Sequence, residues 1–285
     1  MKEYNRTIDE LVAMYTFEKE LFDCYVEGIS DKFVIENYVC YKNINVKAIE
    51  VDSIDFSNVE FQDLDFKSNK DKLILLSRIL SKNLIVSDVY CLIDRDFDGM
   101  LLPIETNVHL LRTDYSCMES YFMARDIIHK FIDIGIRDFP FHTDFIIEEI
   151  GKVLRYLFIV RLVKLKFNLN YPLLKIDNNL NINKKDGIIN FNLDDYLSKF
   201  IIANNLKKYK IDIEEFVNEI MGKIDPDARN TMNGHDFIEV LFLYINKIKS
   251  STGFKLQTFE RAFQLSLQPN YFDQYPFFVF LSQAV

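Results

Sequence analysis

From residue 21 to about residue 132 the chain alternates short strand-like runs with helix-period segments, a pattern that restricts it to an α/β arrangement around a parallel sheet. LFDCYVEG reads as a first strand. SDKFVIENYVCYK reads as a helix with Ser30 as its N-cap and Phe33, Val34 and Tyr38 available to pack inward. A second strand falls within INVKAIEV. NKDKLILLSRILSKN then places Leu73, Leu76, Ile79 and Leu80 at helical spacing, VYCLID supplies a third strand, VHLLR a fourth, and a helix is expected from Cys117 to about Phe131. Beyond Pro140 the alternation gives way to long helical patterns, interrupted by DNNLNINKKDG, which reads as an exposed loop. The expected organisation is a helical lead-in over 1–20, an α/β domain over 21–135 and a mostly α-helical region over 136–285.

The bulk properties narrow the class. An apolar content of 49% over 285 residues is enough to bury a substantial core, and only 8 Gly and 6 Pro leave no low-complexity linker. The four cysteines are scattered without a C-x-x-C pair, and the charged opening MKEYNRTIDE has no signal-peptide pattern, so a reducing cytoplasm is expected. FIIEEIGKVLRYLFIVRLVKLKF is interrupted by seven charged residues, which suits a long core helix with a basic face and not a membrane span. The net charge of -9 argues against indiscriminate coating of nucleic acid, although Lys152 to Lys166 and the run Lys207, Lys208, Lys210 form local basic stretches.

The chemistry-bearing motif is VYCLIDRDFDG. Alternate residues of an extended chain point the same way, so a strand continuing here would present Asp94, Asp96 and Asp98 together at its C-terminal edge. Three such carboxylates repel one another unless a cation neutralises them. Mg²⁺ and similar hard ions favour oxygen ligands, with the remaining positions left to water and a substrate phosphate, so metal-dependent phosphoryl chemistry is expected; a solvated acidic turn is the alternative. Functional groups in open parallel sheets collect beyond the strands' carboxyl ends, where Glu27 would close the first strand before Gly28. Residues 94–105 also fit the EF-hand pattern, with Asp94, Asp96, Asp98, Gly99 and Glu105 in register, but VYCLI has strand character where a helix is required.

VEGISDKF, followed some seventy residues later by LIDRDFD, resembles a Toprim domain, the fold shared by topoisomerases, primases and the nucleases of the OLD (overcoming lysogenization defect) group. TDYSCMESYF and MNGHDFIEVL extend the resemblance to a bacterial Toprim family that includes the effector subunit of PARIS-type anti-phage systems, where a Toprim nuclease is paired with an ABC-type ATPase. The resemblance covers residues 21 to 132 and, in the C-terminal half, the Gly-His-Asp segment alone. It implies that residues 21–135 are a catalytic domain using Mg²⁺ or Mn²⁺. Glu27 matches the family's metal ligand or general acid/base, and Asp94 and Asp96 match its metal-binding D-x-D.

Asp98 is a further metal-ligand candidate; Glu119, which matches the acidic position after the fourth strand in the family the chain resembles, and His235, as a catalytic or phosphate-contacting group, are secondary site candidates. Ser116-x-x-Glu119 can equally form a helix capping box, and Asp236 followed by Glu239 can simply cap a helix. No late catalytic Lys or Arg is identifiable; Lys152 and Arg155 are the available cations, with nucleic-acid binding the role expected of them. The implied function is an anti-phage nuclease toxin that acts on nucleic acid, with RNA such as tRNA among the substrates, and is held in check by the ATPase. A homodimer seam in the helical half and a non-catalytic interaction module are the remaining possibilities.

Overall fold

The computed structural model describes residues 5–57, 68–84, 87–250 and 253–283. These form two compact units, the first comprising 1–95, 103–114 and 268–285 and the second 96–102 and 115–267.

In the first unit a short strand β1 (Arg6–Thr7) leads into α1 (Ile8–Phe17), which Thr7 and Glu10 close with a reciprocal capping box. Then follow β2 (Phe22–Val26), α2 (Ile29–Lys42), β3 (Lys47–Glu50), β4 (Ile54–Asp55), α3 (Asn69–Asn83), β5 (Asp88–Ile93) and β6 (Leu110–Arg112). The main sheet has the order β3-β2-β5-β6 with every pair parallel, and β1 pairs with β4 separately. The expected α/β class with a parallel sheet and flanking helices is therefore what the chain adopts, and all four expected strands are present.

Every residue of β2 is buried, as a central parallel strand covered on both faces requires. On one face Tyr25, Val89, Cys91 and Ile93 pack with Leu11 and Tyr15 of α1 and with Leu73, Leu76 and Leu80 of α3. Alternation turns Tyr90 to the other face, where it meets Phe22. Two local expectations are corrected. Helix α2 begins at Ile29 with Gly28 as its N-cap, because the Asp31 carboxylate accepts the Gly28 N–H; Ser30 lies inside the helix. Phe33 is exposed, while Val34 and Tyr38 are buried as expected: 33 and 34 point to different sides of a helix, and one face alone meets the sheet.

The second unit contains α4 (Arg125–Lys130), α5 (Thr143–Lys166), the antiparallel pair β7 (Asn181–Ile182) and β8 (Ile189–Asn190), α6 (Leu193–Ala203), α7 (Lys210–Met221), α8 (Gly234–Ile248) and α9 (Leu256–Gln264). The 24-residue α5 is its central element, with thirteen buried positions spread along its length. Among the described residues no helix is long and apolar enough to cross a membrane.

The expected helix from Cys117 to Phe131 is instead a 3-10 segment over Met118–Phe122, then α4, then a π-helical turn over Phe131–Ile136. Ser116 and Ser120 hydrogen-bond to each other, and the Ser116 hydroxyl also donates to backbone carbonyls, which competes with regular helix. The segment read as an exposed loop, 177–187, is mostly exposed and contains β7; it pairs with β8 just beyond it, where the Ile189 N–H donates to the buried Glu149 carboxylate.

The last helix, α10 (Pro276–Ser282), belongs to the first unit. Phe278 stacks on Phe272 and meets Tyr38 edge-on, Phe280 meets Tyr90, and the Phe277 N–H donates to Asp114. The division expected at 135/136 is thus corrected twice: the chain end returns to the sheet, and residues 115–135 join the helical unit, where Phe131 packs on Phe259 and Phe263. Phe278→Ala is expected to destabilise the protein by ~3–5 kcal/mol through loss of this aromatic packing. Urea denaturation followed by circular dichroism measures it, and a change below ~1 kcal/mol would mean that α10 is not integral to the sheet's covering.

Candidate functional site

Parallel strands β2 and β5 are direct neighbours, so their carboxyl ends emerge side by side. Glu27 follows β2 and Asp94 follows β5. The Glu27 Oε1 accepts the Asp94 backbone N–H at 3.2 Å, which anchors the carboxylate at the sheet edge, and both residues are half-buried. A crossover helix between parallel strands starts at this same edge, which brings in the first turn of α3. Asn69 donates to the Glu27 carbonyl at 2.7 Å and to Asp52, and Lys70 Nζ donates to the Asp94 carbonyl at 2.6 Å. Asp52 is held below the usual carboxylate range by its hydrogen bonds from Lys72 and Asn69.

Lys70 is the cation that sequence reasoning missed. Its signal was present: S-N-K-D opens the helix that feeds the D-x-D strand, and first-turn residues of such a helix belong to the carboxyl edge. Arg95 is held at the end of β6, its N–H bonded to the Thr113 hydroxyl and its guanidinium to the Asp114 carbonyl.

The three aspartates do not continue as one extended edge. Asp96 adopts a left-handed conformation with φ 46°, which Asp tolerates better than most residues, and the chain turns there. The Asp96 N–H donates to the Ser116 carbonyl, Phe97 packs on Phe158, and Asp98 bridges to Leu102, so residues 96–102 belong to the second unit. The helix–loop–helix of an EF-hand is also missing: β5 precedes the segment, and Glu105 is committed to a two-bond ion pair with Arg78 that lowers its pKa.

Among the described residues no three His, Cys, Asp or Glu side chains gather into a group able to hold a metal ion. Mg²⁺ is commonly held by one or two carboxylates with water and phosphate filling the rest, and Glu27 with Asp94 offers that donor chemistry. Lys152 and Arg155, expected to bind nucleic acid, are engaged within the second unit. Lys152 pairs with Glu149 at 2.6 Å and Glu148 at 3.0 Å, and Arg155 donates to the Pro226 carbonyl.

Glu119 and His235 fall in the second unit, and the capping boxes considered for this region do not form. Cys117, not Ser116, precedes the 3-10 turn, and Asp236 sits inside α8, where its carboxylate takes two 2.7 Å bonds from Arg161. The Glu119 carboxyl lies against Gly234, where a Cβ would collide with Oε2, so a side chain at 234 would force Glu119 to move. His235 itself is exposed. Burial pushes the Glu119 pKa up, and the nearby His235 charge opposes the shift. No protein-family model and no curated protein matches the chain.

Asp236→Ala leaves the Arg161 guanidinium in a largely buried position without its partner and is expected to cost ~3–5 kcal/mol. A chemical-denaturation midpoint unchanged from the parent would contradict it. Because Glu119 holds its proton more tightly folded than unfolded, folding stability falls as pH rises from the ordinary glutamate range through the folded pKa. Glu119→Gln is expected to flatten that fall; thermal melts of both proteins from about pH 4 to about pH 8 check it, and parallel profiles would remove Glu119 as the titrating group.

Proposed function

We propose that the chain is a metal-dependent nuclease that hydrolyses phosphodiester bonds through Glu27 and Asp94. The observation that supports the reading is the Asp94 N–H to Glu27 hydrogen bond, which brings two acid residues from adjacent parallel strands to the edge where open α/β sheets place their ligands. Mg²⁺ or Mn²⁺, when bound, supplies Lewis acidity toward the phosphate and a water of lowered pKa. Glu27 and Asp94 would be the oxygen donors for it. Glu27, anchored by the backbone bond it accepts, is also the group that takes the proton from the attacking water. Lys70 brings a positive charge to the same edge, where it offsets charge that builds on the departing oxygen. The glutamate and the D-x-D at these positions, by their resemblance to Toprim nucleases, extend the reading to a cytoplasmic anti-phage effector restrained by an ABC-type ATPase and cutting nucleic acid such as tRNA.

Purified protein is assayed on labelled tRNA, single-stranded RNA and duplex DNA with Mg²⁺, Mn²⁺, Ca²⁺ or EDTA. Cleavage is expected with Mg²⁺ or Mn²⁺ and not with EDTA, and Glu27→Gln and Asp94→Asn are each expected to lower it by about 10²–10⁴-fold with circular dichroism unchanged. Full cleavage by both variants would defeat the assignment.

A further inference from the structure

A cavity of about 310 Å³ opens in the first unit beside β3, the edge strand of the sheet. Its lining includes three cations, Arg6, Lys32 and Lys47, and one carboxylate, Glu50. Lys32 stands 3.6 Å from Glu50, whereas Arg6 and Lys47 have neither a hydrogen bond nor an ion pair from their side chains to another described residue. Their charges act only at a distance, lowering the pKa of the buried Asp23 against the larger upward push of its burial. Leu11 and Ile54 supply an apolar wall, both buried. Two cations on separate strands, without a partner among the described residues, line a concave and partly apolar space and make a receptor for an anion that carries an apolar body.

We propose that this cavity binds a phosphate-bearing ligand of about the size of a nucleoside monophosphate. The volume lies at the small end of the ~300–1,000 Å³ range of ligand pockets, which suits one nucleotide and excludes a folded polynucleotide. Arg6 offers a planar fork that matches two phosphate oxygens, and Lys47 a point charge beside it. Glu50 repels the phosphate and holds Lys32, so it weakens the site. The ligand is either a free nucleotide or the phosphorylated end of a nucleic-acid strand; the recognising chemistry is the same. Neither Glu27 nor Asp94 lines this cavity, and the inference does not depend on hydrolysis there.

Isothermal titration of the intact chain with adenosine 5′-monophosphate, adenosine, inorganic phosphate and a short oligonucleotide with and without a 5′-phosphate tests it. The monophosphate is expected to bind at least about tenfold more tightly than adenosine, to weaken with added salt, and to lose at least about tenfold in the Arg6→Gln, Lys47→Gln double variant. Glu50→Gln is expected to tighten it, a gain that misfolding cannot produce. A 5′-phosphorylated oligonucleotide that outcompetes the mononucleotide assigns the ligand to nucleic acid, and the reverse order assigns it to a free nucleotide; either supports the site. No saturable binding of any phosphorylated probe, equal affinity for adenosine, or unchanged affinity in the double variant overturns it.

Discussion

The parallel pairing of β2 with β5 is the constraint on which the first unit depends. Parallel neighbours cannot be joined by a tight turn, so the chain between them must cross the sheet, and here it spends that length on α2, β3 and α3. Two consequences follow together. Helices cover the paired strands, which allows β2 to be buried along its whole length, and the first turns of α2 and α3 arrive at the strands' carboxyl edge. Asn69 and Lys70 reach Glu27 and Asp94 for that reason. The candidate site is a product of topology before it is a product of any single side chain.

Burying β2 so completely has a cost at one position. Asp23 lies within the strand at 5% exposure, where an unpaired carboxylate is strongly disfavoured. Tyr15 donates to it at 2.6 Å and is itself 2.7 Å from the Tyr25 hydroxyl, so the polar atoms form a short chain inside an otherwise apolar layer. Burial raises the pKa of Asp23 and of both tyrosines. For Asp23 this means that folding favours the protonated form, and its contribution becomes less favourable as pH rises through the folded pKa. The same network ties α1 to the sheet through polar atoms, where apolar packing alone would leave the helix register weakly specified.

The parallel sheet and its strands were legible because local periodicity carries them: VYCLID, INVKAIEV and NKDKLILLSRILSKN each fold at the expected place. Glu27 and Asp94 were legible as strand-end acids for the same reason. What local pattern could not show was long-range return. Nothing in PFFVFLS marks it as covering a sheet more than a hundred residues upstream, and nothing in TDYSCMES shows that Ser116 bonds to the carbonyls of Arg229 and Met232. The basic face of α5 misled in a similar way. Charge spacing identified Lys152, Arg155 and Arg161 correctly as cations, but Lys152 pairs with Glu148 and Glu149 one helical turn away, and the partners of Arg155 and Arg161, the Pro226 carbonyl and Asp236, were concealed by sequence distance.

The D-x-D-x-D motif shows where alternation stops being a geometric argument. Period-two projection holds only while the backbone stays extended, and β5 ends at Ile93. At Asp96 the positive φ turns the chain, and Gly99 at φ 79° turns it again, so the spacing of Asp94, Asp96 and Asp98 in sequence no longer fixes a shared direction. The strand-end residue keeps its meaning because hydrogen bonding of the sheet positions it, and Glu27 is positioned by the neighbouring strand in the same way. A hard divalent ion needs only one or two carboxylates when water and phosphate complete its shell. Glu27 and Asp94 are therefore the carboxylates on which a metal reading rests most directly, and Asp98, bridged to Leu102 inside a turn, is the one whose part in it the strand geometry no longer supports.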